Sequence, residues 1–148
     1  LSKTSTVMWW RNWAPQSVPE ATAHGNDVIY TPATPFYFSQ NEEKSSMRQV
    51  YDYDLAPASL SAAQRAHIIG VQATMWAEHL PTLNHLLYRT YPRAMAIAEA
   101  GWTPMNVRSW DNFRRKVADH RAFVLKRFNY DLERTKENEP PFRWENKK

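Results

Sequence analysis

With 148 residues the chain is one domain of ordinary size or a piece of a larger one, and it is too short for a complete eight-stranded α/β barrel, which takes roughly 250. Hydrophobic residues at 43% and charged residues at 23% exclude disorder for most of the chain, and the absence of Cys excludes disulfides and thiolate chemistry. A net charge of +4 is too small to point to nucleic acid, and no apolar run approaches the ~20 residues of a membrane span.

The start at Leu1-Ser2-Lys3, without initiator Met or a charged-then-apolar leader, suggests an excised or truncated chain. Val7-Met8-Trp9-Trp10 predicts a first strand, ended by Arg11-Asn12-Trp13-Ala14-Pro15. Ser17 is placed to cap a helix over Val18 to His24, with Glu20 in its first turn and Gly25 as its stop. Asp27 to Thr31 predicts a second strand, and strand, helix and strand in so short a span make a parallel crossover unit. From Pro32 to Pro57 no period is sustained, which predicts a long excursion.

Ser61 with Gln64 has capping-box spacing and opens a short helix through about His67, after which Gly70 punctuates. Val71 to Trp76 predicts the third strand, followed at once by Ala77-Glu78-His79. Pro92 sits at the N1 position of a helix over Arg93 to Ala100 that stops at Gly101, with an Ala-rich face suited to close packing on a sheet. Ser109 caps a last helix to about Phe128 that sets Phe113, Val117, Val124 and Phe128 on one stripe. Its arginines and lysines read as a solvated face. Residues 131–148 read as a polar tail, so the domain is expected over 1–130.

The chemistry concentrates at one edge. Aromatic residues make up 14% against only three Gly, more rings than a core alone needs. Trp10, Tyr37, Trp76 and Glu78 stand at or just beyond the C-terminal ends of the predicted strands, the edge where parallel α/β folds bind ligands. If strand geometry continues past Trp76, its ring and the Glu78 carboxylate project to the same side, an apolar plate beside a hydrogen-bond acceptor. That pairing suits a sugar, whose C–H face stacks on indole and whose hydroxyl rim donates to carboxylate. On residue type alone Trp76 and Tyr37 could equally pack a core, Glu78 could sit on a solvated loop, and Trp9 could take the place of Trp10. Asp52 and Asp54 could pair, although a loop turn explains them as well. The five histidines have no metal-ligand spacing.

Five blocks in order carry a resemblance: Val7 to Arg11; Gly25 to Pro32 with Tyr37-Phe38; Gly70 to Glu78; Tyr91-Pro92-Arg93-Ala94; and Ala98-Glu99-Ala100-Gly101-Trp102. Over roughly residues 5–130 the chain resembles the C-terminal part of family 20 glycoside hydrolases, the β-N-acetylhexosaminidases. The resemblance implies an α/β fold, namely the sixth to eighth strands of a (β/α)8 barrel with their helices. It implies that Trp10 walls the acetamido pocket, Tyr37 hydrogen-bonds the acetamido carbonyl, Trp76 lies under the ring and Glu78 holds ring hydroxyls. Ser39 stands where the family usually has an Asp or Asn reaching the sugar rim, and is a possible contact. Arg93, Glu99 and Trp102 match the family as a helix start and its packing face.

Catalysis in the family is substrate-assisted, with an Asp that orients the acetamido group and an adjacent Glu that protonates the leaving oxygen. No Asp-Glu dipeptide occurs here, so the chain is expected to bind sugar without supplying the acid. The resemblance implies no cofactor, a glycan bearing N-acetylhexosamine as partner, and a periplasmic or extracellular bacterial setting. A noncatalytic carbohydrate-binding or structural remnant is the alternative. Three barrel strands also leave open edges at Val7–Trp10 and Val71–Trp76, so marginal stability, self-association or association with a missing N-terminal part is expected.

Overall fold

The computed structural model describes residues 1–40 and 44–125. Three short strands, β1 (Val7–Trp9), β2 (Val28–Tyr30) and β3 (Ile68–Val71), form a parallel sheet in the order β1-β2-β3. Val7 pairs with Val28, and Tyr30 pairs with Val71. All three C-terminal ends therefore lie along one edge.

Helix α1 (Ser17–Ala23) connects β1 to β2 and packs over both. It ends as expected: Gly25 takes φ 90°, its N–H bonds the Thr22 carbonyl and the Asn26 N–H bonds Ala21, the Schellman pattern that a left-handed residue permits. Its start differs from expectation. Ser17 lies inside the helix and Gln16 is the cap residue, because the Ala14–Ser17 turn already sets Gln16 in helical geometry.

The segment expected to be a plain excursion contains a broken turn, α2 (Ala33–Phe36), and a helix, α3 (Met47–Tyr51). Ser46 and Gln49 make a reciprocal capping box there, as Ser61 and Gln64 do for α4 (Ala62–Arg65). The α4 helix matches its predicted start but ends at Arg65, short of His67.

The third strand is the larger correction. It runs from Ile68 to Val71, not from Val71 to Trp76, and Gly70 pairs with Ile29 inside it. The reason lies in its partner: β2 ends at Tyr30 and turns away through α2, so beyond Val71 only an isolated bridge forms, between Thr74 and Tyr37. A register shift between Val28 and Ile29 leaves Ile69 as an extra residue opposite β2.

Helix α5 (Leu83–Thr90), with Thr82 accepting from the His85 N–H, is absent from the sequence reading. Pro92 is the cap residue of α6 (Arg93–Trp102) and not its first turn. The helix passes through Gly101 to Trp102; a Cβ at Gly101 would lie 3.1 Å from Val71 Cγ1, so this glycine permits close approach to β3 and is no stop. Ala96 and Ala100 are buried, which agrees with the expected small-residue face. Ser109 accepts from Asn112 N–H to start α7 (Trp110–His120), whose Phe113 and Val117 are buried. A π turn follows at Arg121–Leu125; Phe128, the Val124 side chain and the tail at 131–148 lie outside the described residues.

The core lies on one face of the sheet, where Trp9, Val28, Tyr30, Phe36, Val50, Ala96 and Phe113 pack together. Trp9 and Tyr30 meet edge to face at 5.3 Å, and Phe36 lies 4.9 Å from Tyr53. Arg108, just before α7, donates to the carbonyls of Thr103, Tyr51, Tyr53 and Ala100 and ties the α6 end to the end of α3 and the segment after it.

Candidate functional site

Three chain segments leave the C-terminal edge and are stitched together beyond the last strand residues. The Ala33 N–H donates to the Trp10 carbonyl at 2.9 Å, and Asn12 bonds reciprocally with the backbone of Thr34, at 2.6 Å to its carbonyl and 3.0 Å from its N–H. The loops after β1 and β2 are thereby joined. Around Tyr37, the Phe38 N–H donates to the Thr74 carbonyl and the Thr74 N–H to the Phe36 carbonyl, both at 2.9 Å, joining the segments after β2 and β3.

This stitching brings Tyr37 and Trp76 together, with ring centroids 6.0 Å apart and planes tilted by 50°. Trp76 is 49% exposed, which places it outside the core and makes its face available. Trp10 is 38% exposed at the same edge, while Trp9 is buried and donates its indole N–H to the Ala14 carbonyl. Of the two, then, Trp9 belongs to the core and Trp10, just past the end of β1, is the one open to solvent. Trp10 meets Trp13 edge to face at 5.3 Å, and the Arg11 guanidinium lies 4.8 Å from its ring centroid.

Glu78 stands on the same edge by a different route from the one expected. Strand geometry does not continue past Trp76; Ala77–His79 form a 3-10 turn, closed by His79 N–H on the Trp76 carbonyl and Leu80 N–H on that of Ala77. The Glu78 carboxylate is solvent-exposed, 3.5 Å from His79 Nε2. Ser39 is buried, at 7% the least exposed of the five sequence candidates. Asp52 and Asp54 do not pair: Asp52 bonds Arg48, and Asp54 accepts from the Ala56 N–H at 2.9 Å in a loop turn.

The arrangement offers the Tyr37 and Trp76 rings, the Trp10 indole and the exposed Glu78 carboxylate along one edge. It can grip a ligand with an apolar face and a hydroxyl rim. Sequence reasoning passed over the residues that hold the rim, Asn12, Ser45 and Arg93. For Arg93 a signal existed: a lone cation opening the apolar run Ala94-Met95-Ala96-Ile97 needs buried partners. Two buried hydroxyls, Thr31 Oγ1 and Thr74 Oγ1, have no hydrogen-bond partner among the described residues.

Residues 1–105 match the family model described as Glycosyl hydrolase family 20, catalytic domain. The chain is 71% identical over 97 residues to a beta-hexosaminidase of Akkermansia muciniphila, covering 65% of this chain and 20% of that protein. It is 32% identical over 130 residues to a beta-hexosaminidase of Porphyromonas gingivalis, covering 79% of this chain and 16% of that protein. The fold is similar to the crystal structure of a beta-N-acetylhexosaminidase, with TM-score 0.81 and 50% identity over 96% of this chain and 32% of that one. It is also similar to the X-ray structure of a Flavobacterium johnsoniae chitobiase, with TM-score 0.74 and 29% identity over 92% and 21%. The chain thus spans about a fifth of the length of these two curated relatives. Its small parallel sheet with flanking helices is of the TIM-barrel type of catalytic domain. The chain belongs to glycosyl hydrolase family 20.

Proposed function

We propose that the chain is the C-terminal part, about the sixth to eighth strands with their helices, of the barrel of a β-N-acetylhexosaminidase that removes terminal N-acetylhexosamine from glycans with retention. The observation that carries this reading is the Tyr37–Trp76 ring pair, 6.0 Å between centroids, held at the C-terminal edge of a parallel sheet. Active sites of such barrels are built at that edge.

In this reading Trp76 lies under the pyranose ring and Trp10 walls the acetamido group. Tyr37 donates its hydroxyl proton to the acetamido oxygen, and Glu78 accepts from ring hydroxyls. The acetamido oxygen then attacks the anomeric carbon as the glycosidic bond breaks, and the leaving oxygen takes a proton from a general acid. Tyr37 strengthens its bond as that acetamido group is held for attack. The acid, and the Asp that steadies the cyclic intermediate, come from an Asp-Glu pair elsewhere in the complete polypeptide, since none occurs in these 148 residues. Ser39 offers the sugar rim a short, uncharged contact at most. The open edges of β1 and β3 pair with the rest of the barrel or, in the isolated segment, with another copy.

The test is turnover of a chromogenic N-acetylglucosaminide by the complete polypeptide and by residues 1–148 alone. The complete polypeptide should turn over, and Tyr37→Phe should lower its rate by about 10²-fold, the effect of losing one donor to a reacting oxygen. The segment alone should be inert, because general acid catalysis is worth about 10²–10⁴ and the acid is elsewhere. Turnover by the segment that survives Glu78→Gln would overturn the division of labour. Sugar binding without turnover by the complete polypeptide would favour a noncatalytic carbohydrate-binding protein.

A further inference from the structure

An irregular loop that turns toward the core must find donors for its carbonyls, or leave them unsatisfied. The loop after β2 finds them in α6. Arg93, the first residue of that helix, is only 4% exposed. Its Nη2 donates to the Phe38 carbonyl at 2.7 Å, and its Nη1 donates to the Ser45 carbonyl at 2.9 Å and to Ser45 Oγ at 3.0 Å. The guanidinium also lies 4.8 Å from the centroid of the Phe38 ring. Ser45 passes the anchor on, since its hydroxyl donates to the Pro35 carbonyl at 2.5 Å.

Tyr37 is therefore bracketed. Pro35 is held two residues before it and Phe38 one residue after it, both through a single guanidinium. The Thr74 bridge holds the same stretch from the other side. A helix start needs no buried, forked cation; the planar fork matters where several acceptors must be met at fixed angles.

We propose that Arg93 is a positioning residue of the sugar site, its guanidinium fixing Tyr37 against Trp76 through the Phe38 carbonyl and the Ser45 hydroxyl. This rests on the reading of that edge as the N-acetylhexosamine site. Lysine at this position keeps the charge but cannot meet both acceptors in one plane. A misplacement of about 1 Å at a reacting centre can lower rate by about 10²-fold, so the loss belongs in kcat more than in KM.

The experiment compares Arg93→Lys with Arg108→Lys in the complete polypeptide, by steady-state kinetics on a chromogenic N-acetylglucosaminide and by amide exchange at Phe38 and Thr74. Arg108 is the control, since it bonds Thr103, Tyr51, Tyr53 and Ala100 and not the Tyr37 loop. Arg93→Lys should lower kcat by about 10–10²-fold with a smaller change in KM. It should also raise exchange at Phe38 and Thr74 at least tenfold beyond any change at the β1 and β2 amides. Arg108→Lys should lower the melting temperature and leave kcat and those two amides as in the wild type. Unchanged exchange at Phe38 and Thr74 in Arg93→Lys, or equal losses in both variants, overturns the proposal. Should the wild-type polypeptide show no turnover, the N-acetylhexosaminidase reading falls, and the clamp stands or falls on the exchange data alone.

Discussion

On the helix-covered face of the sheet Trp9, Val28 and Tyr30 are buried; on the opposite face Met8 is exposed, at 47%, and its partner Ile29 is half-buried. Both faces are apolar. Strand alternation explains the pattern, since neighbouring residues point to opposite sides and Met8 pairs in register with Ile29. Parallel sheets are ordinarily covered on both faces, yet the described helices cover one. The sequence thus encodes two apolar surfaces of different fate: one buried by this segment's own helices, the other suited to the interior of a barrel.

That contrast is open to direct attack. The largest effect is expected on the covered face, where Phe36 is fully buried and packs against Tyr53. Phe36→Ala should cost about 3–5 kcal/mol, the lost transfer energy plus the cavity left behind. Denaturant unfolding of the complete polypeptide and of the segment measures it. A loss under about 1 kcal/mol would mean that the helices do not seal this face as described.

A smaller effect should appear with pH. Burial, then the neighbouring Tyr30 and the Asp54 carboxylate, raise the Tyr53 phenol well above its ordinary value, and burial followed by Asp54 raises Tyr30. A phenol with a raised pKa in the folded state keeps its proton there after the unfolded chain has begun to lose it. Its stabilising contribution is full below the unfolded pKa of about 10 and is lost as pH climbs from there toward the folded pKa. Stability should therefore fall above about pH 10, by up to about 1.4 kcal/mol per pH unit for each such phenol. Tyr53→Phe should flatten that slope in thermal melts between pH 9 and 11. A slope left unchanged by Tyr53→Phe would mean that the core side does not bury this phenol as described.

Much of this architecture was legible in the residues, and the gaps have physical causes. The strands at Val7 and Val28 show in their β-branched and aromatic runs, and Gly25 marks a true left-handed stop. The run Val71 to Trp76 has equal strand propensity, but a strand needs a partner and β2 turns away after Tyr30. Pairing is a property of two segments, and propensity reads only one. Helix α3 is a single turn, too short to display a period, though Ser46 and Gln49 repeat the signature that exposed α4 at Ser61 and Gln64. At the site the rings and the carboxylate were visible as residue types beside strand ends. What aligns Tyr37 was not visible, because Arg93 reaches it across 55 residues of sequence to Phe38.

The smallest effect should come from the open face. Met8 stands on that face opposite Ile29 and is 47% exposed, so only part of its apolar surface leaves water when this segment folds. Met8→Gln keeps the unbranched length of the side chain and changes chiefly its apolar character. In the segment alone it should shift stability by less than about 0.5 kcal/mol, the range for surface substitutions. In the complete polypeptide, where the proposed barrel interior covers this face, the same substitution should cost about 1–3 kcal/mol, because the new amide is then buried. Paired urea titrations of the two proteins at the same concentration measure the difference. Equal small shifts in both would show that Met8 stays in water in the complete protein, and equal large shifts would show that the segment covers this face by itself; either result would break the contrast between the two faces.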